Sequence, residues 1–340
     1  MDDIALWQIS AFACLIFMMF MYSILDGFDL GLGVLIGFVT ENDEEKRALL
    51  GHIAPFWDGN EVWLVIAVST LFGAFPQAYA SLLPSFYLPF LFIIILFVCR
   101  AISLEFAYYS GKHVSKTSIW IFSGCSFLAS FLGILFLGVM ISGIPAGEGG
   151  VFRIGAGDII RPLPLIFATA WLLMMLLHSI SYLTRKSEGA LRERLMKLAK
   201  RMFPVFIVLY LAGIFFLYLK SPQIVGRPMV LAGAAMTVAG ALSCRFAIGS
   251  KFERHMFAFS TLGMGGIWVV MAGSIFPNIA NPVQGGGAMM TIYDSSAPLS
   301  TLRVIVLSAL FGMVSILFYV FSVYAIFSRK DKKVKSEVPL

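Results

Sequence analysis

The sequence predicts an all-α, polytopic transmembrane protein of about nine spans. Three observations carry that prediction. Hydrophobic residues make up 59% of the 340-residue chain and charged residues only 13%, against about 25% charge in an ordinary soluble domain. The apolar residues fall in long runs, near the roughly 20 residues needed to cross about 30 Å of hydrocarbon. The basic residues fall between those runs, in strong alternation.

The first run, Trp7–Phe38, follows Met1-Asp2-Asp3. It lacks a basic lead and is too long for a signal peptide, so it is expected to be retained. It is also too long for a perpendicular crossing, which predicts a tilt or a break near Asp26-Gly27. The next runs are Pro55–Phe75, Ser81–Phe106, Ser118–Ser142 and Ile159–Thr184. Phe203–Leu219, Met229–Ile248, Met256–Phe276 and Leu302–Phe327 complete the set. The whole chain, 1–340, reads as a single integral membrane domain.

The 25 lysines and arginines test this division. Nineteen lie in or at the edges of alternate connections on one side, five likewise on the other, and only Arg100 lies well inside a run. The positive-inside rule then predicts an outside N-terminus and a cytoplasmic C-terminus, with residues 328–340 as a basic cytoplasmic tail. The longest cytoplasmic connection, 185–202, has Leu191, Leu195, Leu198 and Met202 at helical spacing, which predicts an amphipathic surface helix. The outer loop Pro277–Ser300 contains Gly285-Gly286-Gly287 and shows no strand pattern. The net charge of +6 follows from topology and gives no reason to expect nucleic acid.

Acids inside such runs are costly, roughly 2.5–3.5 kcal/mol for an ionised Asp near a helix centre. Asp26 and Asp29 are three residues apart and share a helical face. Gly27 and Gly31 are spaced to admit a neighbouring helix. The four residues read either as a tight helix junction, whose acids cap backbone or pair with arginine, or as a proton- or ion-conducting group. Asp58 and Glu61 also share a face, at the start of the second run. Asp58 and Asn60 suit the exposed N–H groups of a first turn. Capping accounts less well for Glu61, which is followed by Val62-Trp63-Leu64. Arg100 and Glu105 are about 140° apart around a helix, so each needs a partner on another helix. Arg100 can face Asp58 or Glu61.

Other chemistry is thinly represented. Of four histidines, only His178 lies within a run. Paired imidazoles at membrane depth for a haem are not evident. Cys14, Cys99, Cys125 and Cys244 read as buried free thiols, with no metal-ligand spacing. The chain alone does not read as a complete catalyst, and it is expected to bind no haem or metal.

The runs Asp26-Gly27-Phe28-Asp29-Leu30-Gly31 and Ile53-Ala54-Pro55-Phe56-Trp57-Asp58-Gly59-Asn60-Glu61-Val62-Trp63-Leu64 resemble subunit II of the cytochrome bd-type quinol oxidases (the cytochrome bd ubiquinol and cyanide-insensitive oxidases). Ala74-Phe75-Pro76, Ser85-Phe86-Tyr87, Arg100, Gly143-Ile144-Pro145, Ile275-Phe276-Pro277 and Met290-Thr291-Ile292-Tyr293-Asp294-Ser295-Ser296 extend the resemblance along the chain. It implies two four-helix bundles plus one peripheral helix. It implies a role as the non-haem subunit of a bacterial inner-membrane complex that oxidises membrane quinol and reduces oxygen with cytoplasmic protons. It implies a subunit I holding two b-type haems and one d-type haem, small single-span subunits, and in some members a structural quinone.

By the same resemblance, Asp58, Arg100 and Glu105 match proton-path positions. Trp57 and Trp63 match aromatic positions of the motif, with Trp63 near an oxygen route. Glu61 joins the proton-path candidates. Some members carry Lys where this chain has Tyr109; its nearest lysine is Lys112. An ion-coupled secondary transporter is the competing expectation from Gly-rich helices with buried acids, but the second half contains no counterpart of the Trp57–Trp63 run. A purely structural scaffold is a third.

Overall fold

The computed structural model describes residues 3–109, 113–145, 152, 154–281 and 290–336. Gly285-Gly286-Gly287, Lys112 and residues 337–340 of the tail lie outside them. Among the described residues, eight helices are long and apolar enough to cross a membrane. The count is nine if the bent pair α3 (Trp57–Ala74) and α4 (Pro76–Ser85) makes one broken span. The all-α polytopic expectation therefore holds.

Helix α1, Asp3–Val39, runs 37 residues without interruption. At 1.5 Å per residue it is about 55 Å long, so it extends beyond the hydrocarbon. It does not break at Asp26-Gly27. The stretch 26–36 is buried on all sides, so neighbouring helices support it and its glycines serve packing. A Cβ on Gly31 would lie 2.5 Å from Ser179 Cβ. Gly27 is looser, with Met264 Cε at 3.5 Å from such a Cβ. Gly31→Val is therefore expected to destabilise the protein by about 1–3 kcal/mol through overpacking, read as a lowered Tm. An unchanged Tm would show that α1 and α8 can separate freely here.

Helix α2, Asp43–Gly51, is capped by Asn42, whose Oδ1 accepts from the Glu45 amide at 2.8 Å. Asp43 is held below its ordinary carboxylate range, chiefly by its hydrogen bond with Lys46. Phe75 separates α3 from α4 by a 118° bend, and Pro76 opens α4. Ser81–Ser85 therefore belong to α4, and the next span is α5, Tyr87–Tyr109, rather than Ser81–Phe106. Hydropathy alone does not register a change of direction inside an apolar run.

Helix α6 covers Lys116–Ser142, α7 is the short turn Ala156–Ile159, and α8 covers Pro162–Leu183. Helix α9 is a single helix, Gly189–Lys220. The surface helix expected over 185–202 is thus not separate: from Gly189 it is continuous with the following apolar run in one helix. Leu191, Leu195, Met196 and Ala199 are buried. Arg194 anchors that part to the start of α2, reaching Glu45 at 2.5 Å, Glu41 at 3.1 Å and the Val39 carbonyl at 2.9 Å. The apolar stripe faces protein instead of lipid headgroups.

The short α10, Pro222–Val225, leads to α11, Pro228–Ala247; a 3-10 turn at Glu253–His255 then precedes α12, Met256–Ile275. Helices α11 and α12 are in backbone contact, since a Cβ on Gly240 would lie 2.4 Å from the Gly263 nitrogen. The connection after α12 holds a strand pair the sequence did not signal, β1 (Asn278–Ala280) against β2 (Met290–Thr291), antiparallel. At three and two residues they are too short for a period-2 pattern. Helix α13 covers Leu299–Ser336.

One group of four helices is α8, α9, α11 and α12. The other is α1, α3, α5 and α6, with α13 peripheral along α1 and α3. The two groups meet where α8 packs on α1 and α6. Helix α5 lies along α6; Arg100 reaches from it to both α1 and α3, and Glu105 to α3 again.

Candidate functional site

Arg100 is fully buried on α5, with its guanidinium 5.9 Å from the Phe122 ring of α6. One terminal nitrogen donates to Glu61 Oε1 of α3 at 2.5 Å, and the other to Asp26 Oδ1 of α1 at 2.9 Å. Three helices thus converge on one planar fork, the geometry that makes arginine the usual choice for a bridging cation. Asp26 is fully buried, whereas the Glu61 side chain keeps 25% exposure.

Asp29, one turn after Asp26, is also fully buried. Its Oδ2 accepts from Asn60 Nδ2 at 2.8 Å, and that amide also donates to the Leu25 carbonyl at 3.2 Å. Tyr324 of α13 closes this side, stacked on Phe56 with centroids 4.2 Å apart. Asp29 Oδ1 and Arg100 Nε have no hydrogen-bond partner among the described residues, and the Tyr22 hydroxyl of α1 stands beside Asp26. One guanidinium therefore stands among three carboxyl groups, with polar atoms to spare.

Asp58 does not reach Arg100. It is exposed in the first turn of α3, and its Oδ1 accepts from the adjacent Gly59 amide at 2.7 Å. It shares the α3 face with Glu61, so it stands one turn toward the helix start. Glu105 also lies apart from the fork; its Oε1 accepts from Trp57 Nε1 at 3.2 Å, a second tie between α3 and α5. Trp63 is fully buried, edge-on to Phe17 at 6.2 Å, with its indole N–H unpartnered.

Of the alternatives for Arg100, Glu61 is its partner and Asp58 is not. Asp26 is the partner that spacing left open. Asn60, read as a first-turn amide, instead holds Asp29. Its place inside the Trp57–Trp63 run was the available signal. Tyr324 carried no signal at all.

A haem-ligand role does not fit His178. Its Nε2–H donates to the Ile24 carbonyl at 3.0 Å, and Nδ1 lies 2.8 Å from the Ser260 hydroxyl. Both ring nitrogens brace α1 against α8 and α12. Among the described residues no group of three or more His, Cys, Asp or Glu could hold a metal ion, and the four cysteines are free.

The family described as Cytochrome bd terminal oxidase subunit II matches residues 7–327. The chain is 27% identical over 296 residues to Cytochrome bd ubiquinol oxidase subunit 2 of Bacillus subtilis (strain 168), covering 84% of this chain and 85% of that one. It is 29% identical over 209 residues to Cytochrome bd-I ubiquinol oxidase subunit 2 of Escherichia coli (strain K12), covering 58% and 54%. The fold matches a chain of the bd oxidase from Geobacillus thermodenitrificans with a TM-score of 0.79 and 17% identity, over 94% of this chain and 98% of that one.

Proposed function

Because the chain belongs to the cytochrome bd terminal oxidase subunit II family, we propose that it is the non-haem partner of a haem-bearing subunit I and passes protons toward that subunit. The observation that carries the proton role is the ratio at Arg100, one buried cation among three carboxyl groups. A guanidinium balances one carboxylate, and the others are neutral only when they carry protons. Glu61 keeps an exposed edge, and Asp58 stands beyond it in the open first turn.

The proposed order is Asp58, Glu61, then the Arg100–Asp26 pair, with Asp29 and Asn60 behind. Glu105 supports it through Trp57, and Trp57 and Trp63 are assigned to the oxygen route or to the subunit interface. Asp26, Gly27, Asp29 and Gly31 are at once the junction of α1 with its neighbours and the wall of this cluster. In this reading the complex holds two b-type haems and one d-type haem in subunit I, consumes membrane quinol, and includes small single-span subunits and a possible structural quinone. Its protons come from the cytoplasm. No observation favours the transporter reading.

Two measurements test this. The chain purified with its neighbours is expected to show d-haem bands in a reduced-minus-oxidised spectrum, and purified alone to show no haem; stoichiometric haem in the lone chain would overturn the non-haem role. A reporter fused after Leu340 is expected to be active only on the cytoplasmic side, in the bacterial inner membrane. Activity only outside would invert the topology and close the proposed path to cytoplasmic protons.

A further inference from the structure

Away from the Arg100 cluster, the turn between α8 and α9 and the 3-10 turn at Glu253–His255 flank an open cavity of about 550 Å³. Arginines 185, 192 and 254 line it, together with Glu188 and Glu253. Arg192 pairs with Glu253 at 2.7 Å while its Nε donates to the Thr184 carbonyl at 3.3 Å. Arg185 and Arg254 are exposed, and they leave the cavity one positive charge in excess.

Two further features point to an anion. Ser187 lines the cavity, is only 8% exposed, and its hydroxyl has no partner. Helix α9 opens at Gly189, also on the lining, with no side-chain cap. The first turn of a 32-residue helix therefore offers bare N–H groups and the positive end of its dipole. Phosphate is the group that best matches N–H donors, a hydroxyl and two arginines together.

The position selects the carrier of that phosphate. The cavity sits where the apolar α8 ends at Leu183. Beside it Phe252 is 51% exposed, with Lys251 Nζ 5.3 Å from its ring centroid. An exposed aromatic paired with a basic residue suits the membrane–water boundary, the depth of lipid headgroups. We propose that this cavity holds the phosphate of an anionic membrane phospholipid.

The test uses the whole complex extracted from membranes. In native mass spectrometry, phosphatidylglycerol is expected to be retained about tenfold better than phosphatidylcholine at equal concentration. An R185Q/R254Q double variant is expected to erase that preference. Ser187→Ala, which keeps every charge and the fold, is expected to weaken retention severalfold. Inorganic phosphate in excess is expected to leave the lipid in place; its full displacement would assign the cavity to free phosphate and overturn the lipid assignment. Equal retention of both lipids by the unsubstituted complex, or an unchanged preference in the assembled variants, would also overturn it.

Discussion

Arg100→Gln is expected to destabilise the protein by about 3–5 kcal/mol, the range for removing one partner of a buried ion pair. Arg100 is fully buried and bridges α5 to both α3 and α1. Its loss leaves Asp26 and Glu61 facing each other with no cation, and Asp29 one turn away. Glutamine supplies a single amide in place of a charged fork. The expected outcome is a sharp fall in assembled complex and in Tm. Arg100→Lys keeps the charge but not the planar fork, so it is expected to fall between. Adding Asp26→Asn to Arg100→Gln removes one stranded carboxylate and is expected to restore part of the loss. Normal assembly and an unchanged Tm in Arg100→Gln would show that α5 is held by α6 and its other contacts without the fork.

Glu61→Gln separates conduction from architecture. Its amide oxygen still accepts from Arg100, so the complex is expected to assemble with its usual Tm. It cannot release a proton, so oxygen reduction is expected to fall at least about tenfold, or about 1.4 kcal/mol in barrier. Asp58→Asn, in the exposed turn before it, is expected to fall in the same way while assembling normally. Normal turnover in assembled Glu61→Gln would reduce the Arg100 cluster to a structural clasp. Normal turnover in Asp58→Asn alone would move the start of the path to Glu61, whose side chain keeps 25% exposure.

The sequence by itself determined the class of the protein and most of its helices. Hydrocarbon thickness and the desolvation cost of charge act on every residue alike, so run length and basic alternation carry them directly. Asp26, Asp29, Glu61 and Arg100 stand out in the chain for the same reason, since each is expensive where it lies. The tertiary structure decided what that chemistry could not express locally. The reversal at Phe75 and the fusion of residues 189–202 into α9 depend on backbone direction and on what covers a stripe of leucines. The partners of Arg100 lie 39 and 74 positions away along the chain. A helical period states which residues share a face but not which face meets which helix. That choice of Glu61 and Asp26 over Asp58, and of Asn60 for Asp29, is made by packing, where small residues such as Gly31 let α1 sit deep among its neighbours.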